Sequence, residues 1–203
     1  MTRMEGADAA QVAQVLGGDR DAFRVLVERH SRSVFRLAYR MTGNQADAEE
    51  VVQEAFLRAY RRLDKFEERA NFGTWVYRIG VNCALDLMRK RKTEMEQRVT
   101  QRTDDEERPD LMESAASSDP TPERIALSGE LKEHVEAAMR LLSPVERTAF
   151  VLRHHEGRSI EEIGAVLKLS AGATKNSVFR AVQKLRKELE PFTTTKMSAR
   201  PAR

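Results

Sequence analysis

A single cysteine, Cys83, stands in 203 residues. That excludes an internal disulfide and any zinc site built on several thiolates. Phosphate-loop, dinucleotide-glycine and HExxH signatures are also missing. His154-His155-Glu156 would need metal ligands from elsewhere in the chain, and Cys83, with no companion base, reads as a small core residue. With no convergent constellation, neither catalysis nor a cofactor or metal is expected. Apolar runs are short: Ile163 to Leu167 ends after five residues, against the roughly 20 needed to span a bilayer. Met1 to Gln11 lacks a basic start followed by an apolar core, so no secretory leader is expected and the chain reads as cytoplasmic. No stretch alternates with period two over a strand's length, which argues against a sheet. An excess of one charge is lacking too. The 35 basic and 32 acidic residues leave a net charge of +3, so information lies in how the signs are distributed.

What the sequence does contain is helical spacing. Phe23, Leu26, Val27, His30, Val34, Leu37, Ala38 and Met41 form one apolar stripe, interrupted at Gly43-Asn44. Ala48, Val51, Val52, Ala55, Phe56, Ala59, Tyr60 and Leu63 form a second. Asp64 to Gly73 reads as a loop, and Thr74 as the cap of a third helix with Val76, Ile79, Cys83 and Leu87 inward. A short leading helix is expected over Ala9 to Leu16. From Thr100 to Glu123, eight acids oppose two arginines, with Pro109, Pro120 and Pro122 among them and no aromatic. Such a segment cannot bury enough apolar surface to offset its ordering entropy and reads as a linker. Helical spacing then resumes at Ile125, Leu131, Val135, Ala138 and Leu142. Ser143-Pro144-Val145-Glu146 and Ser159-Ile160-Glu161-Glu162 both carry capping-box starts. The helix after Ser159 breaks near Leu169-Ser170, and a last helix runs to about Leu189 before Pro191. A short helix, a tight break and a longer helix make a helix-turn-helix pattern. The fold class is therefore all-α: two blocks of about 70 residues, a size that folds with limited margin.

Charge is concentrated in three places. Ile163 to Lys187 holds Lys168, Lys175, Arg180, Lys184, Arg186 and Lys187 and no acid. On the second helix of a helix-turn-helix these cations would meet duplex phosphates, while Thr174, Lys175, Asn176 and Phe179 near its start would meet base edges. Arg89-Lys90-Arg91-Lys92 closes the third helix, behind Phe66, Phe72, Trp75 and Tyr77. Rings beside a basic track make a platform for unstacked bases, although the same rings also suit a helical core. Gly43 to Leu57 has the opposite sign, with Asp47, Glu49, Glu50 and Glu54 and no basic residue. The helix dipole accounts for acids in the first turn but less well for Glu54, which points to a protein partner with a basic docking surface.

Several of these motifs, in this order, resemble a bacterial extracytoplasmic-function (ECF) sigma factor of the sigma-70 family. They are Asp19-Arg20-Asp21-Ala22-Phe23, the run from Ala48 to Phe56, the run from Phe72 to Asn82, Leu142 to Arg147, and Ser159 to Ile163. The resemblance spans roughly residues 10 to 190. It implies a region 2 domain over 10–93, a flexible acidic linker over 94–122, a region 4 helix-turn-helix domain over 123–191 and a disordered tail over 192–203. It further implies a non-catalytic specificity subunit that binds core RNA polymerase and promoter DNA and is held in check by an anti-sigma factor. Glu50, Gln53 and Glu54 would dock on the β′ clamp helices, and the β flap is the other expected polymerase contact. Asn71, Phe72, Trp75, Tyr77, Arg78, Asn82, Arg89 and Arg91 would serve the minus-ten element, with Asn82 lining a pocket for a flipped base. Arg153, Thr174, Lys175, Asn176, Phe179, Arg180 and Lys184 would serve the minus-thirty-five element. Two departures stand out: Ser177 replaces an arginine usual in the family, and Glu50 replaces an aspartate.

Two other classes fit parts of the sequence. A free-standing helix-turn-helix regulator would explain the second block but would leave the aromatic-basic element and the acidic helix unused. A helical adaptor without a nucleic-acid role would use its patches for proteins alone.

Overall fold

The computed structural model describes residues 2–66, 71–101 and 133–198, with side chains described over 8–66, 71–98 and 133–190. The first block consists of α1 (Thr2–Leu16), α2 (Asp21–Thr42), α3 (Gln45–Arg61), a single 3-10 turn (Leu63–Lys65) and α4 (Phe72–Gln101). Gly43 ends α2 in the left-handed conformation, with φ of 72° and its N–H donated to the Tyr39 carbonyl, a backbone state that suits glycine. Asn44 then starts α3 by accepting the Asp47 N–H at 2.9 Å. The two apolar stripes face each other and α4, burying Leu26, Val34, Leu37, Met41, Val51, Phe56, Val76 and Val81. Each large side chain so buried contributes roughly 1.5–3 kcal/mol. At Gly80 the helices approach so closely that a Cβ would lie 2.9 Å from Val34 Cγ1. Helix α1 is fastened by the buried Asp8, which is ion-paired with Arg29 and bonded to His30 Nε2 at 2.9 Å.

The second block consists of a helical stretch at 133–140 (α5), α6 (Pro144–Phe150), a π-helical turn (Val151–His155), α7 (Ile160–Leu167) and α8 (Ala171–Ser198). Both expected capping boxes are formed, at Ser143 with Glu146 and at Ser159 with Glu162. Lys168 takes the left-handed conformation, φ 56°, and so turns the chain after α7. Ser170 Oγ then accepts the Ala173 N–H at 3.2 Å to begin α8. The turn is tight. A Cβ on Gly164 would lie 2.9 Å from the Leu169 carbonyl oxygen and 3.1 Å from Thr174 Oγ1.

Boundaries differ from expectation in four places. Helix α1 starts at Thr2 rather than Ala9. The cap of α4 is Asn71, whose Oδ1 accepts the Thr74 N–H at 2.7 Å, not Thr74. Helix α4 continues to Gln101, into the stretch expected to be linker, because its Lys90–Glu94 and Lys92–Glu96 pairs support an exposed extension at helical spacing. Helix α8 runs through Pro191 to Ser198, where a stop and a disordered tail were expected. A proline deletes one backbone donor and crowds one carbonyl, which a helix can accommodate by bending. The rest of the expected linker and the last five residues lie outside the described residues.

The blocks touch. Helix α4 packs on α6 and α7, Arg40 Nη1 donates to Glu156 Oε1 at 2.6 Å, and the Arg158 guanidinium lies 5.6 Å from the Tyr77 ring centre. Arg147 of α6 is buried against Gly43. Burial, with Arg140 nearby, lowers its guanidinium pKa to about 10, and its Nε has no hydrogen-bond partner among the described residues.

Candidate nucleic-acid and protein interfaces

Helix α8 presents Lys175, Asn176, Phe179 and Arg180 together, all exposed, at the spacing of one helical face. Phe179 is 61% exposed, which burial of an apolar ring does not explain. Thr174 corrects the expectation of a base contact. It is fully buried, and its hydroxyl donates to the Ser170 carbonyl at 2.9 Å, so it builds the turn instead. Ser177, where the family usually has an arginine, is buried beside it and donates to Ala173 O at 2.9 Å, so it is not part of the exposed face of α8. Arg153 is exposed at the π turn, with Nη1 donating to the Arg158 carbonyl at 2.9 Å.

Lys184 is not directed outward alone. Its Nζ donates to Glu146 Oε2 at 2.7 Å, and Arg180 Nε lies 3.9 Å from Glu146 Oε1. Glu146 was legible as a capping residue but not as a partner of α8, since nothing local in a sequence signals a pair 38 positions apart. Burial works to raise the Glu146 pKa. Hydrogen bonds from Lys184 and the Ser143 N–H, with the lysine's charge, outweigh it and hold the carboxyl below the usual range.

On α4, Asn71, Arg78, Asn82 and Arg89 are exposed and Trp75 half-buried at spacings of four, three, four and seven. This makes a polar-aromatic track of about 27 Å along one face. Asn82 Nδ2 donates to the Arg78 carbonyl at 3.0 Å, which leaves its Oδ1 outward as an acceptor. Three expected members lie elsewhere. Phe72 is 1% exposed and packs on Phe66, Trp75 and His30, so it supports the track from beneath. Tyr77 faces the second block; burial, with the Glu156 carboxylate beside it, raises its hydroxyl pKa well above the phenol range. Arg91, two and a half turns from Asn82, lies on the opposite side and pairs with Asp47 at 2.9 Å and Glu50 at 3.8 Å.

Beside those pairs, between α3 and α4 and about a quarter turn round α4 from Asn82, lies a groove, a cavity of about 360 Å³ whose lining includes Glu50, Gln53, Glu54, Leu57, Leu87 and Lys90. All three residues expected to dock a protein partner are therefore together. Leu57 is 43% exposed on its floor. Glu54 accepts from Arg58 Nε at 2.6 Å, and Arg58 reaches Asp86 at 3.3 Å; the Glu54 hydrogen bond chiefly raises the guanidinium pKa. Cys83 lies at the groove's base, where burial pushes its thiol to about 11, so it stays protonated and unreactive near neutrality. No cluster of metal-ligating side chains occurs among the described residues. No helix among them is long and apolar enough to cross a membrane.

The two blocks coincide with two family models: sigma-70 region 2 matches residues 26–94, and sigma-70 region 4 matches residues 132–185. By fold and motif this is a sigma factor. The ECF RNA polymerase sigma factor SigW of Bacillus subtilis is 33% identical over 186 residues, covering 92% of this chain and 98% of that protein. The ECF RNA polymerase sigma-E factor of Escherichia coli K12 is 34% identical over 187 residues, covering 91% and 95%. Among solved structures, CnrH in complex with the cytosolic domain of CnrY superposes with a TM-score of 0.57 at 28% identity, covering 91% of this chain and 98% of that one. The chain belongs to the ECF sigma factors.

Proposed function

We propose that this chain directs core RNA polymerase to a particular set of promoters and opens them. The α3–α4 groove docks the polymerase clamp through Glu50, Gln53 and Glu54. The outer face of α4 holds the non-template strand of the minus-ten element, with Trp75 as a stacking surface, Arg78 and Arg89 on phosphates and the Asn82 amide on a flipped base. The exposed face of α8 enters the major groove at minus-thirty-five through Lys175, Asn176, Phe179 and Arg180, with Arg153 on the backbone. The observation that carries this reading is the separation of faces on α4. One face is polar and aromatic, and the adjoining one closes the groove that holds Glu50, Gln53 and Glu54, so one helix can serve DNA and a protein at once. The two elements are about 25 base pairs apart, roughly 85 Å of duplex, so the blocks that touch in this conformation part when both are engaged. Control by an anti-sigma factor follows from family membership.

In vitro transcription with purified core polymerase, followed by start-site mapping, tests this. New start sites that depend on the chain are expected, and Asn82→Ala should abolish opening while the variant still binds core enzyme. No new start-site preference would overturn the reading.

A further inference from the structure

Glu146 does more than cap a helix. A capping box requires an acceptor at this position, and glutamine serves as well as glutamate. The charge is therefore surplus to the cap, and burying a carboxylate is costly unless cations meet it. The Glu146 side chain is 8% exposed, and the cations that meet it, Lys184 and Arg180, come from successive turns of α8. Lys184 is committed to it at 2.7 Å. Arg180 is oriented differently. Its Nε is 3.9 Å from the carboxylate, yet 65% of the side chain remains exposed, on the same face as Asn176 and Phe179.

We propose that Glu146 is a specificity-determining positioning residue for duplex recognition by α8. It withdraws Lys184 from phosphate binding and sets the direction in which Arg180 leaves the helix. This rests on the reading of α8 as the minus-thirty-five helix. Phosphate contacts strengthen binding to every sequence, whereas base contacts discriminate. A carboxylate that removes one cation from the first set while orienting another toward the second raises the ratio of specific to general affinity. It does so without itself touching DNA.

The test uses the full chain reconstituted with core polymerase. Binding to a promoter duplex and to one with a scrambled upstream element is measured across a salt series. Glu146→Gln keeps the capping box, so the variant should still unfold cooperatively, with a thermal midpoint lowered only by loss of the charge pair. It should steepen the plot of log affinity against log salt by about 0.9 per cation released and reduce discrimination between the duplexes about tenfold, the loss expected for one misdirected base contact. Lys184→Met, alone, should leave the wild-type slope unchanged, and in the Glu146→Gln background it should remove most of the added slope. The inference is overturned if Lys184→Met lowers the wild-type slope, because that lysine then already holds a phosphate. It is also overturned if Glu146→Gln leaves slope and discrimination unaltered, or weakens both duplexes equally, as a purely structural residue would. A wild-type protein that fails to distinguish the duplexes would remove the α8 reading itself, and this inference with it.

Discussion

The two blocks hold their charges in different ways. In region 2 the ion pairs around the candidate interface are at least partly exposed: Asp47 with Arg91 and Arg58 with Asp86 join α3 to α4, and Glu54 with Arg58 lies one turn apart within α3. Pairs of that kind contribute at most about 1 kcal/mol each, so a protein partner can replace either member at little cost. In region 4 the central carboxylate, Glu146, is buried and joins α6 to α8. Its cations Lys184 and Arg180 stay 45% and 65% exposed, so removing Lys184 leaves a buried carboxylate short of a partner, the costlier loss, whereas removing Glu146 returns the cations to solvent. Region 2 thus keeps its charges exchangeable, which suits the docking surface proposed for it, whereas in region 4 a buried carboxylate ties α6 to α8.

The largest expected effect comes from testing rigidity directly. In Gly164→Ala the added Cβ meets the Leu169 backbone carbonyl, which the turn prevents from moving. A loss of about 1–3 kcal/mol is expected, as for overpacked cores. The comparable change in region 2, Gly80→Ala, meets a Val34 methyl instead, and the higher helix propensity of alanine, by about 1 kcal/mol, offsets the contact. Thermal unfolding of the two variants should therefore separate the blocks. Equal losses would show that the α7–α8 turn is no stiffer than the α2–α4 contact.

Next in size is the docking groove. Glu54→Lys removes the 2.6 Å bond to Arg58 and places like charges one turn apart. Association with core polymerase should fall at least tenfold, measured by co-purification, while unfolding stability changes by no more than about 1 kcal/mol. A large stability loss would mean that the region 2 pairs are scaffolding after all.

The pH dependence sharpens the same contrast. Glu146 is held below the ordinary carboxyl pKa in the folded chain, so the unfolded chain binds protons more readily at that site. Its contribution is complete above about pH 4.3, the ordinary glutamate value, and fades as pH falls through the lower folded pKa. Urea unfolding at pH 7 and pH 3 should show a smaller difference for Glu146→Gln than for the wild type. An identical difference would mean that the carboxylate's charge adds nothing to the fold.

Much of this architecture was legible in local patterns. The apolar stripes marked α2, α3 and α4, and both capping boxes formed where Ser143 and Ser159 announced them, because each depends on atoms within four residues. Rotation about a helix axis was harder to read. Thr174 looks like a base-reading residue until α7 packs over it, and Phe72 looks like a stacking ring until His30 and Phe66 cover it. Partners distant in sequence left no signal. Lys184 with Glu146 and Arg40 with Glu156 are 38 and 116 positions apart, and only the packing of separate helices brings them together. Lys90–Glu94 and Lys92–Glu96 were visible at helical spacing, yet the acidic run that follows masked the continuation of α4.

Arg91 is the instructive case, because its rotation was computable. Nine residues separate it from Asn82, which is half a turn past two full ones at 3.6 residues per turn, whereas Arg89, seven residues on, nearly eclipses Asn82. The two arginines sit in one basic cluster but face different partners, and they supply the smallest and most discriminating test of the comparison. Arg89→Gln should lower the salt slope for a single-stranded minus-ten oligonucleotide by about 0.7, the value for one phosphate contact on a single strand. Arg91→Gln should leave that slope unchanged and, because its pair with Asp47 is exposed, change stability by less than about 1 kcal/mol. Equal effects on oligonucleotide binding would mean that the helix turns or frays when it meets DNA, and that the division of α4 into a nucleic-acid side and a protein side does not survive complex formation.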